Sequence, residues 1–151
     1  CCTTNFTCSD TIYLSETTEE DLAVNGSINI AVEAFNCSNS GITKEFKKTL
    51  NQKQFPNLNI KLLSFKKEIF SKLNKGIFQG KVEIQLAGVT KGFYVDYTCT
   101  ESSLKNKFIL KGFKVLKFSD FNIKAPEKFG GLLKTKEELT IQFCLNIIDV
   151  S

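Results

Sequence analysis

The sequence contains no histidine, no methionine and no tryptophan, and only 2 prolines in 151 residues. Without histidine, neither a Ser-His-Asp triad nor a Cys-His nucleophile pair can be assembled, which removes most hydrolases. A zinc site would have to use thiolates alone, and none of the 6 cysteines stands in a C-x-x-C spacing. Without methionine, residue 1 is not a translation start. The chain is therefore expected to be processed or excised, so that the lack of a visible signal peptide carries no meaning. No run approaches the ~18 apolar residues of a membrane span. Phosphate cradles are missing too, because Gly76-Ile-Phe-Gln-Gly80 lacks the helix and lysine that a nucleotide loop requires. Glu19-Glu20-Asp21 and Glu137-Glu138 are the obvious carboxylate pairs. They lie in expected turns among polar neighbours and read as solvated rather than as an acid/base pair across a cleft. The chain is not expected to be an enzyme, and no cofactor or metal is expected.

What is present describes an ordinary globular domain with an unusual interior. Hydrophobic residues make up 42% and charged residues 24%, and the length suits one domain spanning residues 1–151. Aromatic content is dominated by 14 Phe against 3 Tyr, which brings large apolar area with almost no polar atom to satisfy. The net charge is +4. Its lysines are scattered singly or in short clusters such as Lys47-Lys48 and Lys66-Lys67, so they read as a solvated surface and no nucleic-acid partner is expected.

The strongest pattern is alternation. ELTIQFCLNI (138–147) sets Leu139, Ile141, Phe143, Leu145 and Ile147 on one face against Thr140, Gln142, Cys144 and Asn146 on the other. KVEIQLAG repeats it with Val82, Ile84 and Leu86 against Lys81, Glu83 and Gln85. One-sided burial of this kind belongs to antiparallel sheets. Further strands are predicted at 5–14, 26–35, 57–65, 92–100 and 106–118, with a turn across Gly88 to Gly92 and a bulge or tight bend at Gly112. SGITKEFKKTLNQKQFP carries Ile42, Phe46 and Leu50 at helical spacing, which predicts a helix over about residues 43–52, capped by Thr43, ended before Pro56 and covering the sheet. EIFSKL is a weaker second candidate. The class is all-β: an antiparallel, lipocalin-like β-barrel of seven to eight strands with one main short α-helix.

FSDFNIKAPEKFGG (118–131) interrupts the alternation and reads as a turn at the barrel rim. Asp120 would accept hydrogen bonds from free N–H groups, Phe121 and Ile123 would plug the rim, Pro126 would stop ladder pairing, and Gly130-Gly131 would let the chain re-enter the sheet. Alternation also assigns an interior. Ile30, Val32, Ile60, Leu62, Val82, Ile84, Leu86, Ile141, Phe143 and Leu145 should converge on one apolar volume, joined by Phe93, Val95, Phe108 and Leu110. Cys99, in phase with Phe93, Val95 and Tyr97, reads as a small buried hydrophobe, and Cys144 falls on the polar phase.

Four stretches resemble the YceI-like family of lipocalin-like barrels, in the version common in the Bacteroidetes: TTNFTC (3–8), VEAFNCSNSGITKEFKKTLNQKQFPNLNIKLLSF (32–65), GKVEIQLAGVTKGFYVDY (80–97) and LKFSDFNIKAPEKFGGLLKTKEELTIQFCLNI (116–147). The last is the most specific. Family members usually carry one more strand ahead of this opening. The resemblance implies a periplasmic or cell-envelope carrier that holds an isoprenoid or other long-chain apolar lipid, a polyisoprenoid being the type, among the fourteen interior residues named above. Tyr94, Asp120 or Lys124 would then discriminate polar groups at the rim. It leaves room for peripheral membrane association and for a homodimer. The alternative is a ligand-free envelope-associated structural or stress-related protein, lipid-anchored at Cys1. The family's topology, with the matching contexts FTC and FNC, implies a disulfide between Cys8 and Cys37 and leaves the pairing of Cys1, Cys2, Cys99 and Cys144 open.

Overall fold

A computed structural model describes residues 2–4, 13–16, 20–67, 76–101, 107–128, 133–134 and 137–148. The strands are β1 (Cys2–Thr3), β2 (Tyr13–Glu16), β3 (Asp21–Ala31), β4 (Asn36–Cys37), β5 (Asn57–Lys66), β6 (Ile77–Leu86), β7 (Val89–Glu101), β8 (Lys107–Lys117), β9 (Glu127–Lys128), β10 (Leu133–Lys134) and β11 (Glu138–Ile148). Among the described residues one α-helix, α1 (Ser40–Thr49), lies between β4 and β5. Seven strands form a single sheet in the order β2-β3-β5-β6-β7-β8-β11, every neighbouring pair antiparallel. This meander curls into the wall of an antiparallel, lipocalin-like barrel. Among the described residues its two end strands, β2 and β11, are not hydrogen-bonded to each other.

The alternation in β6 is followed residue by residue: Phe78, Gly80, Val82, Ile84 and Leu86 are buried, and the intervening side chains are outside or half-exposed. The same holds in β5 for Leu58, Ile60 and Leu62, after which the phase changes so that Phe65 is the next buried position. That change coincides with a register shift between Leu62 and Ser64 in the β5–β6 ladder, and a second shift lies between Ala23 and Gly26 in the β3–β5 ladder. Register runs unshifted through Gly112 on both sides of β8, so the bulge expected there is absent. The glycine serves a different purpose, described below.

Several element boundaries differ from those the local sequence signals predict. β3 begins five residues before the expected start at Gly26, and it stops at Ala31, where Val32–Ala34 form a 3₁₀ turn. The β6–β7 connection is a tight turn with only Ala87 and Gly88 between the paired Leu86 and Val89. Both turn residues have positive φ, 48° and 80°. Gly92 lies inside β7 rather than in the turn. The helix starts at Ser40 because Asn39, not Thr43, caps it: Asn39 Oδ1 accepts the Ile42 N–H at 2.8 Å. The Thr43 hydroxyl instead accepts the Cys37 N–H at 3.0 Å and donates to the Asn39 carbonyl at 2.9 Å, tying the helix to β4. EIFSKL, residues 5–12 and Gly130-Gly131 lie outside the described residues.

α1 rests on the rim at which β3 and β8 end and β5 and β11 begin. Of its apolar stripe, Leu50 is fully buried, Phe46 packs partly against the core and against Phe35, and Ile42 is half-exposed. The chain that follows places the Phe55 ring over Gly88, 2.6 Å from where a Cβ would stand. Together these groups cover one end of the barrel.

Cys37 forms a disulfide with Cys2, its direct neighbour in the β1–β4 ladder. This overturns the expected Cys8–Cys37 bridge. Matching flanks said nothing about which thiol the ladder sets opposite Cys37, and Cys8 itself lies outside the described residues. Cys99 is a buried free thiol, and burial pushes its pKa up. Cys144 is free and exposed.

Candidate ligand site in the barrel interior

All fourteen residues assigned to the interior belong to one apolar cluster. Val32, Ile60, Leu62, Val82, Ile84, Leu86, Val95, Leu110 and Leu145 are buried in it, and Ile30, Phe93, Phe108, Ile141 and Phe143 pack half-buried against it. Among the described residues the buried set includes no charged or amide side chain. The cluster also holds Cys99, as its phase implies, and Leu22, Val24, Ile28, Leu50, Leu58, Phe65, Phe78, Tyr97, Leu116, Phe118 and Phe121, which lie beyond the fourteen. For Tyr97 and Phe78 the signal was available, because both share the inward phase of strands already read as alternating.

An aromatic floor crosses the wall from β5 to β11. Tyr97 on β7 pairs with Phe78 on β6 and with Gly112 on β8, and Gly112 in turn faces Phe143 on β11. The Phe78 and Tyr97 rings stack at 5.7 Å between centroids, while Phe65 and Phe143 meet Tyr97 edge-on at 5.2 and 5.7 Å. These rings need the space that two glycines leave. A Cβ on Gly80 would lie 2.7 Å from Phe65 Cδ1 and 2.8 Å from Tyr97 Cε2, and one on Gly112 would lie 2.6 Å from Phe143 Cζ and 2.8 Å from Tyr97 Cε1. The two edges of the tyrosine ring thus press against bare backbone on either side.

The rim is built from polar contacts that close a turn. After β8, Phe118–Phe121 form a 3₁₀ turn with both phenylalanines buried and Asn122 in the left-handed region at φ 55°. Asp120 accepts the Lys117 N–H at 2.9 Å and lies 3.4 Å from Lys91 Nζ. The backbone hydrogen bond, with Lys91 beside it, holds the Asp120 carboxyl below its ordinary range. Glu137 does the same for Ser119, accepting its N–H at 2.9 Å, and its pKa is lowered by hydrogen bonding to the Ser119 side chain and then to that N–H. The other acidic group is likewise structural: Asp21 pairs with Lys66 at 2.9 Å, and Glu20 lies 3.6 Å from the same ammonium.

Beside this turn a cleft of about 600 Å³ opens to solvent, lined by Glu45, Lys48, Val89, Phe121, Ile123 and Lys124 among others. Phe121 is both its floor and part of the barrel core, where it packs 5.9 Å from Phe93. Of the three rim residues expected to discriminate polar groups, only Lys124 lines the cleft. Asp120 is committed to the turn, and Tyr94 is 57% exposed on the outward phase of β7, opposite Lys81.

A curled antiparallel wall around one apolar interior, with a helix over one rim, defines a lipocalin-like barrel. The YceI protein of Campylobacter jejuni is similar in structure over 99% of this chain and 91% of its own, with TM-score 0.63 and 12% sequence identity. Burkholderia cenocepacia BcnA is similar over 91% of this chain and 82% of its own, with TM-score 0.65 and 13% identity. The likeness is one of fold. No family model and no curated protein matches the sequence.

Proposed function

We propose that this protein is a carrier that holds a long apolar chain, such as a polyisoprenoid, inside its barrel, and that it works in the periplasm or cell envelope without catalysing a reaction. The observation that carries this reading is the convergence of the fourteen inward side chains on one volume with no charged group in the buried set. Such an interior selects by chain length and shape, and each methylene moved out of water contributes about 0.8 kcal/mol toward the cost of ordering the chain. The cleft under α1 is the natural way in, with Phe121 dividing it from the interior. The Cys2–Cys37 bridge suits an oxidising compartment, and no described helix is long and apolar enough to cross a membrane. Lysines such as Lys61, Lys81 and Lys111 sit singly on outward strand positions, which suits solvation and brief contact with an anionic surface better than a nucleic-acid track. Peripheral membrane contact and pairing with a second copy are both compatible with delivery of such a cargo.

A ligand-free structural role is the second reading, favoured by the close fit of Phe65, Phe78, Tyr97 and Phe143 against Gly80 and Gly112. Native mass spectrometry of protein purified from its own host separates the two. A non-covalent apolar adduct is expected; its absence from protein that is folded and freshly isolated would put the structural role ahead.

A further inference from the structure

Among the described residues, two buried side-chain oxygens have no hydrogen-bond partner, Thr4 Oγ1 and Tyr97 Oη. Only Tyr97 stands in the inward row of the seven-stranded wall. It is 0% exposed, and its ring is hemmed by Phe65, Phe78 and Phe143, none of which offers an oxygen or nitrogen acceptor from its side chain. A buried phenol normally finds a partner, and leaving one unmade is costly. Packing does not demand this hydroxyl. Phenylalanine would fill the same ring space, and the chain already uses 14 of them.

We propose that Tyr97 is an internal hydrogen-bond donor that selects, among long apolar chains, those bearing a neutral oxygen acceptor, a carbonyl or hydroxyl, at the depth of the aromatic floor. This rests on the carrier reading above and names the ligand class for the same interior. Burial favours the protonated phenol, so the group donates. A carboxylate at that depth would be stripped of water with no cation to meet it, since the buried set holds no charged side chain. A neutral acceptor suffers much less from the transfer and supplies the bond that Tyr97 lacks.

The test is a cycle of two proteins and two ligands. Wild type and Tyr97→Phe are loaded with the apolar dye N-phenyl-naphthylamine, then titrated with hexadecanol and with hexadecane. Hexadecanol affinity is expected to fall about fivefold in the variant while hexadecane affinity is unchanged. The thermal midpoint of the empty variant is expected to rise, because an unpaired hydroxyl has been removed. Equal effects on both ligands, or no effect on either, overturn the proposal and leave the carrier reading standing. A lower midpoint in the empty variant also overturns it, since the hydroxyl must then already be bonded. If neither compound displaces the dye from wild type, the carrier reading falls and this proposal with it.

Discussion

Gly112 faces Tyr97 across the β7–β8 ladder, and a Cβ at Gly112 would stand 2.8 Å from Tyr97 Cε1 and 2.6 Å from Phe143 Cζ. Gly112→Ala is therefore expected to force the rings apart and cost about 1–3 kcal/mol, read as a lower urea midpoint. Gly92→Ala is the control. It lies in β7 with no atom closer than 3.9 Å to its would-be Cβ, and is expected to change stability by no more than about 0.5 kcal/mol. Equal losses at the two sites would count against the aromatic floor.

The Cys2–Cys37 bridge closes a loop with a sequence separation of 35. Chain-entropy reasoning gives about 3–4 kcal/mol for a loop of that size, so Cys37→Ser is expected to lower stability by that order under oxidising conditions. Peptide mapping without reductant should recover residues 2 and 37 in one linked fragment. A fragment linking Cys8 to Cys37 would refute the pairing.

Acid should loosen the rim turn before the barrel. Asp120 and Glu137 both have pKa values lowered by the hydrogen bonds they accept, from the ordinary 3.8 and 4.5. A depressed carboxylate stabilises the fold above its unfolded pKa, and that contribution is lost as pH falls through the folded value. Protection of the Lys117 and Ser119 amides, measured by hydrogen exchange relative to intrinsic rates, is thus expected to be intact at pH 5 and above, weakening as pH falls below about 4. Asp120→Asn should weaken protection at Lys117 at neutral pH as well. Protection unchanged down to pH 2 would show that these bonds do not hold the turn.

Removing the helix cap should be felt locally. Asn39→Ala deletes the acceptor for the Ile42 N–H and is expected to cost about 0.5–2 kcal/mol, while Asn39→Ser should recover most of it. Chemical denaturation of the three proteins side by side measures both effects. A fully stable alanine variant would mean that Thr43, bonded to Asn39 O and Cys37 N, anchors the helix unaided.

Period-two alternation is a local property of an extended chain, so the sequence by itself determined which side chains of β6, β7 and β11 face inward, and through them the all-β class and the apolar interior. It also marked the rim turn, because Asp120 bonds within three residues of itself and Pro126 carries its backbone preference with it. Register and neighbours were decided elsewhere. Nothing near Cys37 says that β1 will set Cys2 opposite it, and nothing near Gly112 says that Tyr97 and Phe143 will converge on its bare backbone from two other strands. The unpaired Tyr97 hydroxyl is likewise a fact of assembly: its inward phase was legible, but the three phenylalanine rings around it come from β5, β6 and β11. Which strands lie side by side, and in what register, depends on burying all of their inward faces at once, and only the folded barrel expresses that sum.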